Sequence, residues 1–191
     1  MSYRVLVIPE DPTQNGYILK PLVEAMLDNC GKPRAKVTIL SNPRVQGYED
    51  AKQALEKSIF EAYTHMHLLL FLPDADGNDR AKEFGILEST AATAGVKLLC
   101  CAAVQEVEVW LLAGHLRKIG TSIADVRSDV SVKENLFEPF LEEHGDARRP
   151  GGGRDLLMAE TLKKYRGLIQ RCPELKELED RIRPILAQSA D

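Results

Sequence analysis

The sequence predicts an α/β protein: a parallel sheet of about four strands flanked by helices, with a helical extension at the C-terminal end. Short apolar runs recur along the first half of the chain, each run is followed by a helical pattern, and the runs stop near residue 120. Strands that alternate with helices need crossover connections, which place the strands parallel in one sheet. The chain has 191 residues, 44% hydrophobic and 28% charged, which suits one globular core.

The first strand is predicted over residues 3–9, whose sequence is YRVLVIP. This run contains β-branched residues without polar alternation, as in a strand that is buried on both faces of a parallel sheet. A turn-rich stretch follows, and apolar residues then recur at three-to-four spacing between Tyr17 and Leu27. This spacing predicts a helix, which ends at the turn-formers of residues 29–33.

The same unit repeats through the first 120 residues. Further strands are predicted at residues 35–40, 67–72 and 96–104, with helices at residues 50–63, at residues 80–94 and from Val107 onward. Beyond residue 120 the patterns are helical, near residues 132–143, 154–170 and 174–187. We therefore expect an α/β core over residues 1–120 and a helical extension over residues 121–191 that packs on it.

Charge and composition disfavour some classes of function for this sequence, among them avid nucleic-acid binding and membrane insertion. The formal net charge is −4, although the last 46 residues carry more basic than acidic groups. Free, avid binding of nucleic acid is therefore disfavoured, and such contact would need a local basic patch, a metal ion or a partner protein. Residues 1–10 lack the pattern of a signal peptide, and no apolar run is long enough to span a bilayer, so a cytoplasmic location is predicted.

Acidic residues follow three of the predicted strands at their carboxyl ends, where open parallel sheets bind ligands. They are Glu10 and Asp11 after the first strand, Asp74, Asp76 and Asp79 after the third, and Glu106 and Glu108 after the fourth. Parallel strands bring these carboxylates to one edge, where their repulsion favours a hard cation such as Mg²⁺. A site of this kind can stabilise phosphoryl charge or activate water.

The spacing of the acids suggests a role for each. In an extended stretch, Asp74 and Asp76 direct their carboxylates the same way, towards one ion that Glu10 faces from the neighbouring strand. Asp79, Glu106 and Glu108 are candidates for a second metal or its waters. The alternative is an ordinary turn in which Asp79 caps the next helix, with Glu106 and Glu108 complementing a helix dipole.

The best basic patch lies in the helical extension. Its candidate nucleic-acid ligands are Arg148, Arg149, Arg154, Lys163 and Lys164. Such residues can hold a phosphate backbone, although a solvated loop with exposed arginines is an equally good interpretation.

The acidic pattern resembles that of the TOPRIM family, the Mg²⁺-dependent module of topoisomerases, primases and the overcoming-lysogenisation-defect nucleases. In that family a glutamate follows the first strand and an Asp-x-Asp follows the third, matched here by Glu10 and by Asp74-Ala75-Asp76. The resemblance covers roughly residues 3–110. Residues 10–13, 19–22 and 107–113 are similar to small bacterial TOPRIM-like proteins that are often encoded beside ABC-type ATPases.

The resemblance implies a TOPRIM/Rossmann-like fold and a Mg²⁺- or Mn²⁺-dependent nuclease, in which Glu10, Asp74 and Asp76 are catalytic. It also implies DNA rather than RNA as substrate, an ABC-type ATPase as partner and a role in antiviral defence. One departure is that Asp11-Pro12 follows Glu10, where the family usually has glycine. The alternatives are a catalytically inactive subunit that regulates the ATPase and, more weakly, a primase-like nucleotidyl transferase. The oligomeric state is left open.

Overall fold

A computed structural model describes residues 2–188 and shows a four-stranded, all-parallel sheet in the order β2-β1-β3-β4. The strands are β1 (Arg4–Ile8), β2 (Lys36–Ile39), β3 (Leu68–Phe71) and β4 (Leu98–Cys100). This arrangement confirms the predicted α/β fold class. The boundary predicted at residue 120 stays a prediction.

Helices connect and cover the strands. In the first half they are α1 (Gly16–Asn29), α2 (Tyr48–Ala54), a π-helical turn (Leu55–Ile59), α3 (Phe60–Ala62), α4 (Ala81–Thr93) and α5 (Glu108–Leu112). The second half contains α6 (Leu116–Ile119), α7 (Ile123–Ser128), a second π-helical turn (Lys133–Phe137), α8 (Glu138–His144), a 3₁₀ turn (Pro150–Gly153), α9 (Arg154–Leu162), α10 (Tyr165–Arg171) and α11 (Pro173–Gln188). None of these helices has the length and apolar character needed to cross a bilayer.

The apolar character of β1 follows from its central position. It pairs with β2 and β3, so that Val5 lies opposite both Val37 and Leu68. Val5 and Val7 belong to the hydrophobic cluster on one face of the sheet, whereas Leu6 and Ile8 belong to the cluster on the other face. Because both faces are covered, both sets of side chains must be apolar.

The C-terminal helices share the first of these clusters. Met158 of α9, Leu168 of α10 and Leu178 of α11 are buried in the same cluster as Val5 of the central strand. Helix α9 also packs against α1. These contacts hold the helical half of the chain against the sheet, and they bring its charged residues close to the carboxyl ends of the strands.

The fourth strand is shorter than the predicted range of residues 96–104. Strand β4 lies at the edge of the sheet, and side chains cover its outer edge: Glu88 Oε1 accepts from Cys100 N at 2.7 Å, and Arg181 Nη1 donates to Cys100 O. Beyond β4, Ala103 forms an isolated parallel bridge with Asp74. The apolar run therefore continues as an irregular segment that lies beside the end of β3.

Three successive glycines in the 3₁₀ turn have positive φ angles. A Cβ atom on Gly151 would lie 2.3 Å from Cδ2 of the Tyr17 ring. The backbone of this turn therefore packs against α1 at a distance that only glycine allows. The Gly151 carbonyl also accepts a hydrogen bond from Arg154 Nη1 at 2.8 Å, so the turn helps to position that arginine.

We expect Gly151→Ala to lower the free energy of unfolding by about 2–4 kcal/mol, because it adds a steric clash to an unfavourable left-handed conformation. Gly31→Ala is the matched control, since Gly31 also has a positive φ angle but no atom of residues 2–188 lies within 4 Å of its Cβ position. The control should lose only about 1 kcal/mol. Urea denaturation measures both values, and equal losses would contradict the close packing against Tyr17.

Candidate metal centre

Two carboxyl groups meet at the carboxyl edge of the sheet. Glu10 follows β1 and Asp74 follows β3, and the parallel pairing of these strands sets Ile8 beside Phe71. The side chains of Glu10 and Asp74 are consequently in hydrogen-bond contact. Asp74 is only 7% exposed, and its Oδ1 accepts a hydrogen bond from Val107 N at 2.7 Å. The convergence predicted for this pair is therefore present.

The contact between Glu10 and Asp74 requires a proton, since two carboxylates cannot donate to each other. Burial raises the pKa of Asp74 to about 9, and the charges of Glu10 and Glu108 add to the effect. Burial also raises the pKa of Glu10. Glu10 Oε2 is buried, and no N–H or hydroxyl group among residues 2–188 donates to it. At neutral pH, Glu10 and Asp74 therefore share one proton in the absence of metal.

Glu108, the first residue of α5, belongs with Glu10, Asp74 and Glu106 to a group of acids that we call the carboxylate cluster. It is the most deeply buried of them by exposed fraction. Its side chain is only 1% exposed, and within residues 2–188 neither carboxylate oxygen has a hydrogen-bond partner. Burial raises the pKa of Glu108, while the nearby charges of Lys133 and Arg154 oppose that rise. A buried carboxylate without donors is costly, so these oxygens are available to a proton or a cation.

Lys133 lies beside these acids, a position that the sequence did not predict. It lies at the start of the second π-helical turn, and its Nζ is 3.6 Å from Glu106 Oε2. Although its own burial opposes the charged form, the carboxylates of Glu108, Glu106 and Asp74 raise its pKa. Lys133 thus supplies positive charge to acids from two strand ends. Its sequence context is an ordinary polar stretch of helix, which gives no signal of this role.

Glu106 lies beside Lys133 at the rim of the cluster. Burial raises the pKa of Glu106 to about 7, with a further contribution from the charge of Glu108. A carboxyl group with this pKa is present in both protonation states near neutral pH, which suits proton transfer to or from a water molecule.

Asp76 and Asp79 occupy positions that differ from the extended geometry predicted for this segment. Asp76 has a φ angle of 50° and is exposed, so the backbone at this residue does not have the extended conformation that the prediction assumed. Its charge nevertheless contributes to the raised pKa of Glu10, behind the larger effect of burial. Asp79 Oδ1 accepts from Ala81 N at 2.9 Å, which is the helix-capping contact of the alternative interpretation.

The basic residues predicted to bind nucleic acid do not line one cavity. Arg148 and Arg149 form ion pairs with Asp146 and Asp155, respectively. Arg154 lies over the ring of Phe137 at 5.1 Å, close enough to Glu108 and Asp11 for their charges to act on it. Arg154 therefore lies beside the carboxylate cluster.

Lys163 and Lys164 line a different cavity, between α6 and the ends of α9 and α10. The nucleic-acid role predicted for all five basic residues stays a prediction.

The oxygen donors fit Mg²⁺ in chemical type, because hard cations prefer carboxylate ligands. A cation can replace the proton that Glu10 and Asp74 share, and the oxygens of Glu108 have no hydrogen-bond partner among residues 2–188. Within residues 2–188, no group of three His, Cys, Asp or Glu side chains is spaced as a ready-made metal site. Binding of Mg²⁺ would therefore require small side-chain rotations and the release of the shared proton.

Comparison of the chain with protein-family models, with curated proteins and with solved structures finds no match.

Proposed function

We propose that the protein is a Mg²⁺- or Mn²⁺-dependent nuclease that hydrolyses phosphodiester bonds, with DNA as its substrate. The observation that carries the proposal is the group of acids at the carboxyl edge of the sheet, in which buried Asp74 contacts half-buried Glu10 and lies close to the charge of buried Glu108. Such a cluster is costly for folding unless a proton or cation compensates it, and function is the ordinary reason to retain such a cost. The TOPRIM-like pattern of the sequence supports the same chemistry.

In this proposal each acid has a role. Glu10 and Asp74 would hold the metal, and Asp76 would approach it from the exposed rim. Glu108 would hold a second metal or its waters. Glu106 would either join Glu108 as a carboxylate or, in its neutral form, pass a proton to a leaving oxygen. Lys133 and Arg154 would offset the negative charge of the acids and thereby let a phosphate approach. The metal, when bound, would polarise the phosphodiester and lower the pKa of a water molecule.

The second candidate is a catalytically inactive subunit that regulates an ABC-type ATPase. It is favoured by Lys133 and Arg154, whose charges already lie beside Glu108. An internal cation can make an acidic cluster tolerable without metal. Both candidates place the protein in the cytoplasm and in antiviral defence. The test that separates them is Mg²⁺-dependent cleavage of DNA by the wild type and by Glu10→Gln, with and without the ATPase.

Binding of Mg²⁺ should raise the thermal stability of the wild type. A ligand that binds only the folded state at about 100 times its dissociation constant adds about 2.7 kcal/mol, which raises Tm by several degrees in a chain of this size. Asp74→Asn should reduce this increase, because it removes a charged ligand while keeping the oxygen that accepts from Val107 N. Differential scanning fluorimetry at constant ionic strength measures the change. An unchanged Tm in both proteins would contradict metal binding.

A further inference from the structure

A second charged site lies on the helical side of the protein. It is a cavity of about 370 Å³, within the range of small-ligand sites, bounded by α6, the C-terminal end of α9 and α10. The basic residues that line it are Arg117, Lys118, Lys163, Lys164 and Arg171. Glu160 is the one carboxylate in that lining, as far as the described residues show. We call this the basic cavity.

Most of the positive charge in the basic cavity is uncompensated. Lys118 Nζ lies 3.0 Å from Glu160 Oε2, but within residues 2–188 the other four cations have no carboxylate within 4.0 Å. Elsewhere in the protein, by contrast, arginines are paired with carboxylates: Arg127 pairs with Glu174, and Arg181 pairs with Glu88. Like charges that converge without partners repel, and an anionic ligand relieves that repulsion.

Helix dipoles explain only part of this cluster. Lys163 and Lys164 follow the last turn of α9, where cations interact favourably with the free carbonyl groups. Arg117 and Arg171 come from two other helices, and Arg171 Nη1 donates to Ala113 O at 2.9 Å, which fixes its guanidinium at the wall. Three separate segments therefore direct positive charge into one cavity.

The floor of the basic cavity is rigid. A Cβ atom on Gly114 would lie 2.2 Å from Thr161 Oγ1, so α9 approaches the end of α5 at a distance that no other residue allows. Thr161 Oγ1 donates to Leu111 O at 2.8 Å, and His115 Nε2 lies 2.9 Å from Leu157 O. These buried contacts fix both walls, so the cavity exists before any ligand arrives.

The basic cavity and the carboxylate cluster lie at opposite ends of the short helix α5. Glu108 begins α5, and Gly114, which lines the basic cavity, follows six residues later. At a helical rise of 1.5 Å per residue, the two sites are separated by roughly 10 Å along this segment. A strand of a few nucleotides is longer than this separation, so one strand can reach both sites.

We propose that the basic cavity binds phosphate groups of the nucleic-acid strand a few nucleotides away from the bond that the carboxylate cluster cleaves. This inference rests on the proposed nuclease function and names a second contact of the same substrate. Phosphate is the shared chemistry of two sources, a DNA backbone and a free polyphosphate. Cations from three segments suit the repeated charges of a strand.

Fluorescence anisotropy of labelled DNA, in EDTA and therefore without cleavage, tests the inference. The variant is Arg117→Gln, Lys163→Gln and Lys164→Gln together, all three being exposed residues. We expect its Kd to rise about tenfold or more and the dependence of log K on log salt to fall by about 2. The control removes three exposed cations elsewhere: Arg34→Gln, Lys57→Gln and Lys97→Gln. The control should bind DNA as the wild type does.

Equal weakening in both variants would overturn the inference, because it would show only a non-specific effect of net charge. Unchanged DNA binding by the basic-cavity variant would also overturn it. If that variant then loses binding of inorganic tripolyphosphate, free polyphosphate is the ligand instead. Because the assay contains no metal, absence of cleavage by the wild type in a separate Mg²⁺ assay would count against the nuclease proposal alone.

Discussion

Replacing Glu10 with glutamine should lower the rate of Mg²⁺-dependent DNA cleavage by about 10²–10⁴-fold, the range for loss of one group that acts directly in catalysis. Glu10 is in contact with Asp74, and its Oε2 is buried without an N–H or hydroxyl donor from residues 2–188. Glutamine has nearly the same shape but lacks the negative charge that a metal requires. The loss should therefore appear in the rate of cleavage, while the fold is preserved.

The assay uses duplex DNA, single-stranded DNA and RNA with Mg²⁺ or Mn²⁺, with and without the ATPase if one is encoded beside the protein. Asp76→Asn should also lose activity, because Asp76 lies at the exposed rim of the same cluster. Glu24→Gln is the matched control, an exposed acid on α1. It should cleave as the wild type does.

The nuclease proposal fails if the purified protein and its complex cut none of these substrates while Glu10→Gln and Asp76→Asn keep full biological activity. The regulatory-subunit interpretation would then be preferred. It predicts that activity is lost through substitutions on the surface that docks with the ATPase, rather than through the acids.

The fold was predictable because a strand that is buried on both faces has an uninterrupted apolar sequence. Residues of β1 alternate between two hydrophobic clusters, so the whole strand must be apolar. The parallel order also predicted that Glu10 and Asp74 meet, since both residues follow neighbouring strands. The first prediction depends only on the alternation of side chains along a strand, and the second only on crossover connections that make the strands parallel.

Helix α7 was not predicted, although its start carries a signal. Ser122 accepts from Asp125 N, and Asp125 Oδ2 accepts from Ser122 N, which together form a capping box. The helix has only six residues, so its apolar period is too short to be recognised. The capping pair was the better indicator.

Parts of the carboxylate cluster could not be predicted because they depend on tertiary packing or on a turn. Lys133 lies in a π-helical turn that is far from any strand along the sequence, and only the folding of the chain brings it to the acids. Arg154 was assigned to a basic patch, but the packing of α9 against α1 brings it close to Glu108. Asp76 precedes Gly77, and the pair is a turn signal that contradicts an extended Asp-x-Asp.

Without metal, the stability of the wild type should fall as pH rises from about 6 to 9, by about 4–5 kcal/mol. The pKa of Asp74 is about 9 in the folded protein, against 3.8 for an ordinary aspartate. Between these two values the folded state binds a proton that the unfolded state lacks. Each pH unit then costs up to about 1.4 kcal/mol. The pKa of Glu106, about 7, contributes in the lower half of this range.

Asp74→Asn should remove most of this pH dependence and should be more stable than the wild type near pH 8. The asparagine Oδ1 can accept from Val107 N, as Asp74 does, and its amide can donate to Glu10 in place of the proton. Glu24→Gln is the control, because this exposed acid on α1 lies outside the carboxylate cluster, and its pH dependence should match that of the wild type. Urea denaturation in EDTA at several pH values measures the three proteins. A wild type whose stability is flat across this range would show that Glu10 and Asp74 share no proton, and Mg²⁺ would then have no proton to displace there.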